Sequence, residues 1–127
     1  MNELVEEWVS KAEADARTAE REASVTGEPN WDAVCFHAQQ CVEKYLKSLI
    51  QERGIRPPRT HDLWHLARLL LKAVPELEQD CDDLKRLSAF AVEFRYPGER
   101  ARRQEAELSM RIMHSLRRKL RERLGLS

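Results

Sequence analysis

The 127-residue chain has little of what several fold and function classes require. It has no alternating run of apolar and polar residues, and its β-branched residues are scattered, which excludes a sheet-based fold. No apolar stretch approaches the roughly 20 residues needed to cross a bilayer. The N-terminus, Met1-Asn2-Glu3-Leu4-Val5-Glu6-Glu7, is acidic where a secretion signal would be basic, so a cytoplasmic location is expected. Cysteine is scarce: Cys35, Cys41 and Cys81 are odd in number and form no Cys-x-x-Cys pair. A disulfide scaffold is not needed at this length, and the cysteines read as small buried thiols in a reducing compartment. His61 and His65, four apart, lack a third ligand beyond Asp62, so neither a metal nor another cofactor is expected. Internal repeats, low-complexity tracts and linkers are also missing, which leaves one domain over residues 1–127.

Net charge is absent as well, because 22 Lys and Arg balance 22 Asp and Glu, but the charges are unevenly placed. Residues 1–32 hold nine acids against Lys11, Arg17 and Arg21, whereas residues 95–127 hold ten bases against four acids. Antiparallel packing of the first and last segments would neutralise both ends; a nucleic-acid surface is the other reading of the basic end.

What is present is helical periodicity, in five segments. The first runs from about Glu3 to Ser24, with Leu4, Val5, Trp8, Val9, Ala12, Ala16 and Ala19 at threes and fours. Asn30 caps a second helix from Trp31 to Arg53, ended by Gly54. Arg56-Pro57-Pro58-Arg59 is a stiff connector, and Thr60 or Asp62 restarts the fold. A third helix is predicted from about Asp62 to Ala73, burying Leu63, Leu66, Ala67 and Leu70, with Trp64 a further candidate. A fourth begins with Pro75 as its first residue and runs to about Phe94, where Tyr96-Pro97-Gly98 stops it. The fifth, about Arg102 to Leu124, turns Ala106, Ser109, Met110, Met113, Leu116, Leu120 and Leu124 to one face. Short connectors favour an all-α, up-down antiparallel five-helix bundle.

The second helix carries the most information. His37, Gln40, Lys44 and Lys47 fall on one narrow stripe, with Phe36 and Glu43 beside it, opposite a broad apolar arc that includes Val34, Cys41, Tyr45 and Leu49. Such a row of donors suits an anion or a partner subunit, or is a solvated helix face.

Phe36-His37-Ala38-Gln39-Gln40, then Glu43-Lys44 and Lys47, then Thr60-His61-Asp62-Leu63, then Arg95-Tyr96-Pro97-Gly98 before a last amphipathic helix, resemble the HEPN domain family in motif and order. The resemblance spans about residues 5–124. It implies a helical bundle that commonly dimerises, so a homodimer is expected. It also implies one of two activities: nucleotide binding as the partner of a minimal nucleotidyltransferase, often as a toxin-antitoxin component, or metal-independent RNA cleavage. The ribonuclease signature is an arginine followed after four to six residues by a histidine. Histidine can move protons at the 2′-hydroxyl and the leaving oxygen, and arginine can stabilise charge developing on the phosphate.

Arg95 matches the arginine of that signature, but no histidine follows it until His114. The spacing recurs at Arg56 to His61, inside the connector, which is the wrong context. The first reading is therefore a nucleotide-binding protein using His37, Gln40, Lys44, Lys47, Arg95 and Tyr96, with Arg95 gripping phosphate and Phe36 or Tyr96 stacking on a base. The alternatives are a ribonuclease toxin in which Arg95 is catalytic and His37, His61 or His114 supplies the proton carrier, and a non-catalytic dimeric adaptor. Structural roles compete with these: Arg95 as a helix C-terminal cation, and Glu43 with Lys47 as an ordinary i, i+4 pair.

Overall fold

The computed structural model describes all residues 1–127 and is all-helical: α1 (Glu3–Ala23), α2 (Trp31–Glu52), α3 (Leu63–Arg68), a 3₁₀ segment (Pro75–Asp80), α4 (Cys81–Glu93) and α5 (Arg103–Arg123). Asn30 caps α2 as predicted, and of Thr60 and Asp62 it is Asp62 that caps α3; Asn2 does the same for α1. The Asn2, Asn30 and Asp62 side chains accept from the amides of Val5, Ala33 and His65, satisfying donors that a helix start leaves free. Gly54 takes a φ of 79° directly after α2, the left-handed conformation that lets the chain leave the helix.

α2 is the axis of the bundle. Every residue from Cys41 to Ile50 except Lys44 is buried, because α1 and α5 cover two sides and α3 and α4 the rest. Ala12, Ala16 and Ala19 let α1 approach closely, and Tyr45, Leu46, Ile50, Leu63, Leu66, Leu84, Met113 and Leu116 fill the shared core. Of the apolar side chains predicted for the third helix, Leu63, Leu66, Ala67 and Leu70 are inside, and Trp64 packs half-buried against the core.

Two elements differ from the predicted bounds. The third helix stops at Arg68 rather than Ala73, and the chain continues through tight i→i+3 bonds from Leu69, Leu70 and Leu71. Pro75 disfavours helical geometry at the residue before it, and Val74 sits at φ −131°, ψ 70°. The fourth helix therefore opens as a 3₁₀ segment and becomes α-helical only at Cys81. Five α-helices nonetheless make the bundle, as read from the periodicity.

The charge asymmetry is used in packing. Arg117 of α5 grips Glu13 of α1 through two bonds of 2.6 Å, Tyr45 donates its hydroxyl to the same carboxylate, and Arg121 donates to the Tyr45 oxygen at 2.9 Å. Arg117 and Tyr45 hold the Glu13 carboxyl below its ordinary range, while burial and the Glu13 charge push the Tyr45 phenol up. Lys119 pairs with Asp80 at 2.6 Å, and Arg123 with Glu76. Much of the basic last helix is thus spent inside the molecule.

Candidate functional site

The segment after α4 is shaped by its own residues. Pro97 and Gly98 occupy the corner of a turn closed by the Glu99 amide donating to the Tyr96 carbonyl at 3.1 Å, and Gly98 has a φ of 90° that a side chain would oppose. The loop is tied to the first turn of α2 where the Ala101 amide donates to the Asp32 carboxylate at 2.7 Å. Below it, Val34, Cys35, Phe94, Ala101 and Ala106 form a second small core. This anchoring presents Arg95 and Tyr96 outward, and Tyr96 is 63% exposed.

A cleft of about 260 Å³ opens between the start of α2 and the end of α4, lined by Asp32, Phe36, His37, Phe90 and Arg95 among others. A second hollow of about 560 Å³ continues from it around the Tyr96–Arg100 turn, sharing Asp32, Phe94 and Arg95. Arg95 makes no ion pair and no side-chain hydrogen bond. His37 is fixed: its Nδ1 lies 2.8 Å from Oδ1 of Asp15, and its ring meets Phe36 edge-on at 5.2 Å between centroids. An ionised carboxylate only accepts, so Nδ1 carries the proton and a neutral ring leaves the lone pair on Nε2. Asp15, buried on α1, is also held by the Lys44 ammonium at 2.6 Å from Oδ2.

The remainder of the predicted stripe is occupied differently. Lys47 is itself buried and donates to Glu43 at 3.0 Å; Glu43 also meets His61 Nδ1 at 2.9 Å and the Gln39 amide at 3.2 Å. Gln39 donates further to the His61 carbonyl, and Gln40 donates to Gln39 at 2.8 Å. Every buried side-chain nitrogen and oxygen in the chain has a partner. His37, Gln40, Lys44 and Lys47 are therefore not one open row: Lys44 and Lys47 are neutralised by Asp15 and Glu43, and only His37 shares a cleft with Arg95. His61 pairs with Glu43, and His114 lies in a different groove beside Arg118.

No three His, Cys, Asp or Glu side chains are grouped to hold a metal ion. No helix is long and apolar enough to cross a membrane. Burial pushes the Cys35 thiol up to about 11 and raises Cys41 further; neither is built as a nucleophile.

The HEPN domain family model matches residues 5–123. The chain belongs to the HEPN domain family. Among solved structures it is similar to the crystal structure of TT1696 from Thermus thermophilus, at 22% identity and a TM-score of 0.80, over 94% of this chain and 97% of that one. That likeness supports the fold. None of the curated proteins matches the chain.

Within this HEPN fold, sequence reasoning missed Asp15, although one signal was available: an acid standing among Ala12, Ala16 and Ala19 on the apolar stripe of α1 needs a buried partner. Asp32 was likewise invisible as a loop anchor, since its bond spans 69 residues of sequence.

Proposed function

We propose that this chain is a nucleotide-binding HEPN protein, one unit over residues 1–127, that acts in the cytoplasm as a homodimer with a minimal nucleotidyltransferase, as a toxin-antitoxin type component. The observation that carries the reading is the unpaired Arg95 guanidinium beside the aimed His37 imidazole in one open cleft. Arg95 supplies a two-pronged grip on phosphate oxygens, His37 Nε2 meets a hydroxyl or phosphate proton, and Phe36 or Tyr96 receives a base. Lys44 acts at one remove, by holding the carboxylate that aims His37, and Gln40 and Lys47 belong to the frame behind it. The exposed apolar side chains Phe36, Val92 and Tyr96, on elements bordering the cleft, support an interface there. Titration with ATP, followed at the amides of residues 95–100 that border the cleft, tests the reading: Arg95→Ala should weaken that response at least tenfold with unchanged melting, whereas an unchanged affinity there rejects it.

The second reading, metal-independent RNA cleavage with Arg95 as the catalytic arginine, draws on a specific feature. The Asp15–His37 bond is the arrangement by which a carboxylate orients a histidine for proton transfer, and it restores near Arg95 a histidine that the sequence signature lacks. Cleavage of labelled RNA in the presence of chelator, lost in both Arg95→Ala and His37→Gln, would establish it; intact RNA after an hour would leave nucleotide binding. If neither activity responds to Arg95, the dimeric adaptor remains.

A further inference from the structure

A separate groove lies at the opposite end of α2, away from Arg95. It measures about 630 Å³ and is formed by Leu4, Glu7, Trp8 and Lys11 on one face of α1, Lys47 and Gln51 near the end of α2, and the Arg56-Pro57-Pro58-Arg59 connector as its rim. Ten residues of helix separate His37 from Lys47, so about 15 Å lies between the two sites at the usual rise.

The groove's charge is one-sided: four cations face the single acid Glu7. Lys47 is neutralised by Glu43, but Lys11, Arg56 and Arg59 are exposed and have no carboxylate or hydrogen-bonding partner. Nothing in the fold uses them, although a bundle this rich in acids could have paired them, as it pairs Arg117, Lys119 and Arg123. Between the two rims lies an apolar floor. Trp8 is half-buried there with the Lys47 ammonium 5.6 Å from its ring centre, and Pro57 and Pro58 stiffen the rim that carries the two arginines. The prolines restrict the backbone between Arg56 and Arg59, so less freedom is lost when both engage one ligand.

A tryptophan lining one groove with three unpaired cations suits a small ligand that is both flat and strongly anionic, and the volume falls within the range of small-molecule pockets. We infer that this groove binds a nucleoside polyphosphate, its base against Trp8 and its phosphates between Lys11, Arg56 and Arg59. Guanidinium groups take phosphate oxygens two at a time, and the ring accepts any base by stacking. The inference does not depend on how the Arg95 cleft is used.

The test must report by position, and a chain of this size allows it by nuclear magnetic resonance of the full-length, ¹⁵N-labelled protein. Titration with ATP should shift the Trp8 indole N–H and the amides of Lys11 and residues 54–59. Sodium triphosphate should shift the connector amides with at least tenfold weaker affinity, and adenosine should shift none of them up to several millimolar. Arg56→Ala/Arg59→Ala, both surface positions that leave the fold intact, should weaken the response of this group of signals at least tenfold. Lys11→Ala should weaken it several-fold. A second group of signals, from residues 95–100, reports separately on the Arg95 cleft, so failure of either site is seen independently. Absence of ATP-induced shifts at Trp8 and the connector overturns the inference. So does a response the double variant leaves unchanged, equal affinity for triphosphate and ATP, or a preference for a single-stranded RNA oligomer over ATP.

Discussion

The two halves of α2 handle the same residue types in opposite ways. Towards the C-terminal half, Glu43 and Lys47 are buried with Gln39 and satisfy one another, and His61 of the connector meets Glu43 from the surface. In the N-terminal half, His37 is tied at one nitrogen only and faces a cleft where Arg95 stands without a partner. The difference comes from the neighbouring elements. Where a carboxylate is placed within reach, a cation becomes part of the frame; where the loop after α4 delivers an arginine that pairs with no acid, Asp32 being engaged by the Ala101 amide, charge is left for something outside the chain. A stripe of donors on a helical wheel does not distinguish the two cases.

The largest effect should come from breaking the closed half. Glu43→Gln leaves Lys47 buried without its counter-charge, and a loss of about 3 kcal/mol is predicted in urea unfolding. Adding Lys47→Met should recover part of it, because the stranded charge is then gone. If Glu43→Gln costs nothing, the closed half is no more structural than the open one. Arg95→Ala is the counterpart: stability within about 0.5 kcal/mol of wild type, together with at least a tenfold loss of ATP affinity at the Arg95 cleft.

Smaller effects sharpen the contrast. Glu13→Gln removes a paired but partly exposed carboxylate, and about 1 kcal/mol of destabilisation is expected near neutral pH. Its folded pKa lies below the ordinary 4.5, so its contribution is complete above that value and fades as pH falls through the lowered one. Acid titration of unfolding should therefore show a flatter limb in Glu13→Gln than in wild type; identical limbs would remove Glu13 from the account. Least perturbing is thiol labelling. Cys81 should react with an aromatic disulfide reagent in the folded protein, whereas Cys35 and Cys41, buried and with raised pKa, react only after denaturant is added. Fast labelling of all three would mean that the core around α2 opens readily.

The fold was legible because it rests on local signals. Alanines and leucines at threes and fours, Asn30 and Asp62 at helix starts and Gly54 at a helix end each act within a few residues of sequence. The early end of the third helix was not, since it depends on the constraint Pro75 places on Val74 and on tight bonds through residues 69–71. The site was only partly legible. Arg95 and Tyr96 stood out from their place before Pro97-Gly98, and His37 from the motif around it, but their fates depend on Asp15 and Asp32, whose partners lie 22 and 69 residues away. The groove at Trp8 was hidden for the same reason, as α1 and the connector meet only in three dimensions.

The central claim is that charge left unpaired by the fold is the charge that binds. It is tested most directly by calorimetric ATP titration in an Arg56→Ala/Arg59→Ala background, where the second groove is weakened at least tenfold, with and without Arg95→Ala. The account predicts residual binding that falls at least tenfold when Arg95 is removed, at an unchanged melting temperature. Equal affinity with and without Arg95 would contradict it.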